Sequence, residues 1–208
     1  MWRLFRGFRI WLRLAAMALI FLAAFPATPE DFKDRAHVWR AGPYSFSDEL
    51  GGFRILGVSG SGRKDDPFVI REEFTSSSPA TMVIRAAAPI RPFDQSGAFA
   101  SGFMHLRVVV INNSGQAWVE FEFELQELYR QPSVFGDGLS FDQRRSDSDN
   151  ISSDSFAEFS RDFEPYDRLR FRDGKVDPLA TAGFSFLITD FTPRSQFYLL
   201  QDPRIPSS

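Results

Sequence analysis

The stretch FMHLRVVVINNSGQAWVEFEFELQELY, residues 103–129, decides the fold class of this protein. Hydrophobic residues alternate with acidic and polar residues over residues 119–126, so one face of an extended strand is apolar and the other is polar. Residues 108–111 are four apolar β-branched side chains in a row, a pattern typical of a strand that is covered on both faces. A helix would scatter both patterns around its axis, and the stretch therefore predicts two β-strands.

The segment Asn112-Asn113-Ser114-Gly115 separates the two strands. Asn and Gly tolerate the positive φ that a tight hairpin loop requires, and Ser and Asn side chains can cap the loop backbone. We therefore predict that the two strands form an antiparallel hairpin.

Three glutamates, Glu120, Glu122 and Glu124, lie on the charged face of the second strand, about 6.8 Å apart. Such alternation is typical of a half-exposed sheet, and it predicts solvent-facing acids paired with Arg107 or with an arginine of another strand. The spacing also suits the two carboxylates of a glycosidase, but a flat sheet face offers no cleft. We predict no catalytic residue in this row.

The composition supports one all-β domain. A chain of 208 residues, 43% of them hydrophobic, can bury one core, and 24 phenylalanines in short alternating runs favour strands. The absence of cysteine excludes disulfides and thiolate metal sites. The predicted fold is an antiparallel β-sandwich, immunoglobulin- or jelly-roll-like, over residues 49–203, with a tail at 204–208.

The N-terminal segment has the layout of an export signal. Residues 1–26 carry four arginines and no acid, and residues 14–25 are uninterruptedly apolar. We predict one hydrophobic helix that enters a bacterial inner membrane through residues 10–26, either as a signal anchor or as a cleaved signal peptide. Because arginines stay cytoplasmic, the remainder is expected in the periplasm, or secreted after cleavage. Residues 27–48 are predicted to be a linker.

The charge balance bears on possible partners. Outside residues 1–26 the chain has 20 basic and 27 acidic residues, a net charge of −7. An acidic body is repelled by phosphate backbones, so no nucleic acid partner is expected.

Further strands are predicted at residues 53–58, 68–74, 81–88, 183–191 and 196–201. The glycine-containing loop at 59–67 joins the first two of them. Lys64 precedes Asp65-Asp66-Pro67 and a strand, whereas the lysine of a phosphate loop precedes Ser or Thr and a helix. The loop is therefore interpreted as a hairpin loop. His105 is interpreted as a strand side chain and not as a metal ligand.

Residues 130–178 are rich in aspartate and serine and have no long apolar periodicity, which predicts a long irregular connection. Long loops of this kind are often functional, so a site is expected here. The oxygen-rich side chains suit Ca²⁺, although the spacing does not match an EF-hand, and a solvated acidic loop is the alternative. The candidate Ca²⁺ ligands are Asp137, Asp142, Asp147, Asp149 and Asp154.

Several motifs together resemble the β-sandwich domains of exported bacterial proteins, with the nearest likeness to exosortase-sorted (PEP-CTERM) proteins over roughly residues 103–203. The motifs are Asn112 to Gly115 with Trp118, FEFELQE at 121–127, DGLSFD at 137–142, Phe171 with Gly174, 184–188, and FYLLQDP at 197–203. The resemblance implies a sandwich fold and export. The chain ends in Pro206-Ser207-Ser208 without the sorting helix of that family, so the N-terminal segment is the expected membrane tie.

These features favour a non-enzymatic cell-envelope module with a structural or interaction role. The alternatives are a glycan-binding or glycan-cleaving protein that uses residues 130–178, and a calcium-stabilised adhesion-type domain. No catalytic or cofactor-binding residue is predicted, since the sequence has no GxSxG and no HExxH motif. The expected partners are the membrane and another envelope protein or a glycan.

Overall fold

The computed structural model describes residues 38–143, 150–162 and 164–206. These residues contain thirteen strands and a single 3-10 turn, Phe135–Asp137. The strands are β1 (Val38–Ala41), β2 (Tyr44–Ser47), β3 (Arg54–Ser59), β4 (Phe68–Phe74), β5 (Ala80–Ala86), β6 (Phe103–Asn112), β7 (Glu120–Gln126), β8 (Leu139–Phe141), β9 (Ser152–Ser153), β10 (Phe156–Asp162), β11 (Arg168–Gly174), β12 (Thr181–Asp190) and β13 (Gln196–Arg204).

The strands form two sheets. The seven-stranded sheet has the order β1-β2-β5-β13-β7-β11-β10, and the six-stranded sheet has the order β3-β4-β6-β12-β8, with β9 also paired to β12. Neighbouring strands are antiparallel except β4 and β6, which are parallel. Their apolar faces share one core, so the prediction of an all-β sandwich is confirmed.

Aromatic rings from both sheets fill the core. Phe184 of β12 lies at the centre, with its ring centroid 4.7 Å from that of Phe121, 5.2 Å from Phe123 and 4.9 Å from Phe171. All four side chains are almost completely buried. Aromatic pairs at these distances add about 0.5–1.5 kcal/mol each to the free energy gained from burial. The phenylalanine-rich strands are therefore explained by packing between the two sheets.

The predicted hairpin at 103–129 is wrong. β6 belongs to the six-stranded sheet, where it pairs with β4 and β12, and β7 belongs to the seven-stranded sheet, where it pairs with β13 and β11. Residues 113–119 carry the chain from one sheet to the other. Alternation shows which face of a strand is buried, but not which strand it pairs with. Two strands that face the same core give the same pattern in one sheet and in opposite sheets.

The side chain of Asn112 organises this crossing, which we call the Asn112–Trp118 arch. Asn112 is fully buried, and its Nδ2 donates to the backbone oxygens of Gln116 at 2.8 Å and Val176 at 3.0 Å. Its Oδ1 accepts from the backbone N of Ser114 at 3.1 Å and from the Ser114 hydroxyl at 2.7 Å. One amide thus satisfies backbone groups of the arch and of the segment after β11.

Trp118 closes the arch from the other end. Its ring is fully buried against Phe74 and Phe121, with centroids 5.9 and 5.7 Å away. Its Nε1 donates to the hydroxyls of Ser77 and Ser114, each at 3.2 Å. The indole therefore packs in the core while its one donor is satisfied at the surface end of the loops.

Three further predictions need correction. The proposed linker at 27–48 contains β1 and β2, and the proposed irregular connection at 130–178 contains β8 to β11. In β11, Leu169 and Phe171 are buried while arginines alternate with them on the other face. The high density of charge in this region masked a period-two pattern. The tail predicted at 204–208 also begins one residue early, since β13 includes Arg204.

The other predicted strands are confirmed as β3, β4, β5, β12 and β13, and β3 and β4 form the predicted hairpin. The predicted N-terminal helix, with its membrane contact through residues 10–26, lies outside the described residues. Among the residues that the structure does describe, no helix has the length and apolar character to cross a membrane.

A buried polar pair joins the two sheets. Glu72 of β4 and Gln201 of β13 are both fully buried, and Gln201 Nε2 donates to Glu72 Oε2 at 3.1 Å. Burial raises the pKa of Glu72 to about 8, and the nearby charge of Asp48 adds to the shift. Glu72 is therefore protonated at neutral pH. Its Oε1 and the Oε1 of Gln201 are buried and make no hydrogen bond within the described residues.

Replacing Asn112 by Ala removes the four hydrogen bonds that its buried amide makes with Gln116, Val176 and Ser114. We expect the Asn112→Ala variant to lose about 2–6 kcal/mol of unfolding free energy, at about 0.5–1.5 kcal/mol for each of the four hydrogen bonds. Asn113→Ala is the matched control, because Asn113 is exposed and donates to Glu73 at the surface. That variant should lose less than about 1 kcal/mol. Urea denaturation measures both, and equal losses would contradict the assigned role of Asn112.

The Glu72–Gln201 pair predicts a specific pH dependence. Between pH 4.5 and about 8 the folded state keeps a proton on Glu72 that the unfolded state has released. Because Glu72 ionises in the unfolded state and not in the folded state, the free energy of unfolding decreases as pH rises, by about 1.4 kcal/mol per pH unit in this range. Glu72→Gln removes this contribution and keeps the shape of the side chain, so its stability relative to the unmodified protein should increase up to pH 8 and then level off.

Urea denaturation between pH 5 and 9 measures this difference. Asp167 and Asp190, whose pKa values burial raises to about 7 and about 6, contribute equally to both proteins and cancel. Glu73→Gln on the outer face of β4 is the control and should follow the unmodified protein. Parallel pH curves for Glu72→Gln and the unmodified protein would show that Glu72 ionises normally.

Candidate functional site

A pocket of about 370 Å³ lies where three surface segments meet the start of β6. The segments are the β1–β2 turn with Tyr44, the β3–β4 loop at 61–64, and the β5–β6 connection at 94–103. His105 of β6 completes the lining. We call this feature the loop pocket.

Two glycines shape the β3–β4 loop. Gly60 and Gly62 have φ values of +91° and +81°, and a Cβ at Gly62 would lie 2.3 Å from the ring of Phe68. The backbone N of His105 donates to the oxygen of Gly62 at 2.9 Å, which docks the loop on β6. The glycines therefore serve close packing, as the interpretation of a hairpin loop requires. Because the loop is docked on β6, its residues Arg63 and Lys64 lie at the rim of the pocket.

The β5–β6 connection folds back on itself. The backbone N of Arg91 donates to the oxygen of Ala100 at 3.0 Å, and the N of Ala100 donates to the oxygen of Pro89 at 3.1 Å. At the tip, the carboxylate of Asp94 accepts bonds from the backbone N and the hydroxyl of Ser96. These contacts fix the connection without a sheet and present Asp94 and Phe99 to the pocket.

The floor of the pocket is aromatic. Tyr44 is 4% exposed, and the backbone N of Gly102 donates to its hydroxyl at 3.0 Å. Burial raises the pKa of Tyr44 to about 12. Phe103 packs against Phe93 with ring centroids 5.7 Å apart, and the guanidinium of Arg91 lies 3.9 Å from the ring centroid of Phe99. This gives the pocket a firm apolar base.

The rim of the pocket carries positive charge. Lys64 is exposed and makes no hydrogen bond or ion pair with any described residue, and Arg63 Nε lies 3.4 Å from Asp65 in an exposed pair. Burial lowers the pKa of His105, the charge of Lys64 lowers it further, and Asp142 opposes the shift. His105 is therefore a neutral imidazole near pH 7.

The structure does not bring together the three candidate Ca²⁺ ligands that it describes, Asp137, Asp142 and Asp154. Asp137 accepts bonds from the backbone N of Leu139 and from the hydroxyl of Ser133, and so caps its own turn. Asp154 accepts from the backbone N of Gly183 and pairs with Arg107.

Asp142 accepts from Asn150 Nδ2 at 2.9 Å, and its Oδ1 has no partner among the described residues. Asp147 and Asp149 lie outside the described residues. Within residues 38–143, 150–162 and 164–206, no group of three or more His, Asp or Glu side chains is arranged to hold a metal ion.

The glutamate row on β7 is covered by arginines of the neighbouring strands. Glu122 and Glu124 are each only 5% exposed, so they are not solvent-facing as predicted. Arg170 of β11 lies 2.7 Å from Glu122, and Arg168 lies 2.7 Å from Glu124. Arg204 of β13 approaches Glu122 from the other side at 3.1 Å. Pairing with arginines of other strands is confirmed.

Arg107 is not a partner of this row, because it lies in the six-stranded sheet and pairs with Asp154. Arg107 is one of the two predicted kinds of partner because the predicted hairpin places β6 and β7 side by side. The ion pairs form a network on one sheet face, an arrangement that contributes more than isolated surface pairs do.

The loop pocket itself was missed by the sequence analysis. None of its lining residues comes from 130–178, where a site was expected, although Asp142 of that region influences His105. The one sequence signal that points to the pocket is the adjacent pair Arg63-Lys64 in a glycine loop of an otherwise acidic domain.

Comparison with known proteins does not assign the chain. No protein-family model matches it, and no curated protein matches it significantly. The functional conclusion must therefore be based on the geometry of the loop pocket and on the sequence.

Proposed function

We propose that this protein is a non-enzymatic binding module of the bacterial cell envelope and that the loop pocket is its ligand site. The observation that carries the proposal is a pocket of about 370 Å³ with an aromatic floor and a polar rim. Binding sites for small molecules are typically concave and about 300–1,000 Å³ in volume, with apolar walls and a few polar groups that orient the ligand. Loops on a rigid sheet scaffold are a frequent location for such sites.

The lining favours a glycan as the ligand. Phe99 and Phe103 offer ring surfaces on which the apolar face of a sugar can pack. Gln95 and His105 offer hydrogen-bonding groups at the same pocket, as the hydroxyls of a sugar require.

Binding is a better explanation than cleavage. A typical glycosidase needs two carboxyl groups on either side of the bond that it cleaves. Among the described residues that line the loop pocket, Asp94 is the one carboxylate, and it is engaged by Ser96 and by Arg91. The second alternative, a calcium-stabilised adhesion-type domain, gains no support from the positions of Asp137, Asp142 and Asp154.

The location in the cell envelope is supported by the sequence of residues 1–26 and by the resemblance of residues 103–203 to exosortase-sorted proteins. The immunoglobulin- or jelly-roll-like type of the sandwich stays a prediction. It is supported by the repeated passage of the chain between the two sheets.

Glycan binding can be tested with the full chain on a panel of neutral and acidic oligosaccharides. We expect at least one to bind and Phe99→Ala to weaken it about tenfold, since one ring contact contributes about 0.5–1.5 kcal/mol. Tyr166→Ala is the matched control, because Tyr166 is an aromatic residue that lies outside the pocket. It is 38% exposed, and like Phe99 it has an arginine guanidinium near its ring, that of Arg168 at 5.2 Å from the ring centroid. A panel with no binder, or equal affinities for Phe99→Ala and the unmodified protein, would refute the proposal.

The envelope location can be tested by cell fractionation with N-terminal sequencing. We expect the protein in the inner membrane with residues 1–26 retained. Leu19→Arg should release it, because a charge within residues 14–25 opposes insertion into the bilayer, whereas Glu30→Arg should not. Recovery of a shortened chain from the periplasm would show that residues 1–26 are a cleaved signal peptide and not an anchor. Recovery of the intact, unmodified protein from the cytosol would overturn the envelope location.

A further inference from the structure

The loop pocket has an uncompensated cation at its rim. The chain has three lysines, and two of them, Lys64 and Lys175, are among the described residues. Lys175 Nζ lies 2.7 Å from Asp177, whereas Lys64 has no acidic partner in the described part of the chain. Lys64 therefore has its full charge available for a ligand.

Arg63 can join Lys64 in holding an anion. Its contact with Asp65 is 3.4 Å long, and the two side chains are 53% and 79% exposed. An exposed pair of this kind contributes about 0–1 kcal/mol, so an anionic ligand can replace Asp65 at little cost. Asp94, the carboxylate that lines the pocket, is already engaged by Ser96 and Arg91, which reduces its repulsion of an incoming anion.

The neutral imidazole of His105 adds a hydrogen-bond donor. Burial and the charge of Lys64 lower its pKa, and the charge of Asp142 opposes that shift. A neutral imidazole carries one N–H, which can be donated to an acidic oxygen held beside Lys64. Anion binding here would also offset the repulsion between Lys64 and a protonated His105.

The size and the floor of the pocket argue against a bare inorganic anion. An anion of phosphate size would occupy only a small part of about 370 Å³ and would leave the rings of Phe99 and Phe103 uncovered. A ligand that combines a ring with an acidic group uses both the aromatic floor and the cationic rim.

We propose that the loop pocket selects an acidic saccharide, with Lys64 and Arg63 binding its carboxylate and Phe99 packing against its ring. This inference rests on the proposed glycan-binding function and specifies the class of ligand.

The test compares a galacturonate trisaccharide with its methyl ester, which has the same rings without the charge, by calorimetric titration of the full chain. We expect the acid to bind at least tenfold more tightly than the ester. Raising NaCl from 50 to 500 mM should weaken binding of the acid and leave binding of the ester unchanged, because salt screens exposed charges.

Lys64→Gln should abolish the preference for the acid, and Arg63→Gln should reduce it. Lys175→Gln is the matched control and should retain the preference, because Lys175 lies outside the pocket. The melting temperature of each variant checks that it is folded.

Equal affinity for acid and ester, with both weakened by Phe99→Ala, would overturn the acidic preference and leave the glycan-binding function intact. Binding of neither probe, while a neutral member of the panel binds, would have the same meaning. Inorganic phosphate that binds as tightly as the galacturonate trisaccharide would show an anion site and not a saccharide site, and would also overturn the inference.

Discussion

The amide of Asn112 holds together the end of the sandwich where the chain changes sheets. Its two donor bonds tie β6 to the arch and to the segment after β11, and its oxygen fixes Ser114, whose hydroxyl in turn accepts a bond from the indole of Trp118. Because the amide of Asn112 and the indole of Trp118 are buried, a different path of the chain would leave their polar atoms unsatisfied. The arch therefore sets β6 and β7 in opposite sheets, and the rest of the aromatic core packs between the faces that this placement creates.

The buried faces of most strands could be predicted from the sequence, but their partners could not. Alternation correctly placed Phe121 and Phe123 in the core and the glutamates of β7 on the opposite face. It could not show whether β7 pairs with β6 or with β11 and β13, because pairing depends on contacts between residues far apart in the chain. The strands β10 and β11 were not predicted for a different reason. Within these two strands, arginines and acids together outnumber the hydrophobic residues.

The candidate site was harder to predict than the fold. Tyr44, Lys64, Phe99 and His105 are far apart in sequence, and the docking of the glycine loop on β6 brings them together. No local pattern contains that information. The aspartates, in contrast, drew attention in the sequence because they are numerous. In the structure, Asp137 caps nearby backbone groups, which is the ordinary role of Asp in turns, and Asp154 binds the backbone N of Gly183 and Arg107.

The position of β13 between β5 and β7 has a consequence for the order in which the protein can be made. Until Gln196–Arg204 has been synthesised, the seven-stranded sheet consists of two separate parts, β1-β2-β5 and β7-β11-β10, each with an open edge toward the missing strand. Open edges of this kind can pair with other chains and lead to aggregation. Assembly of this sheet thus requires the synthesis of β13, and a chain stalled before Gln196 would carry two open edges that β13 covers in the folded protein.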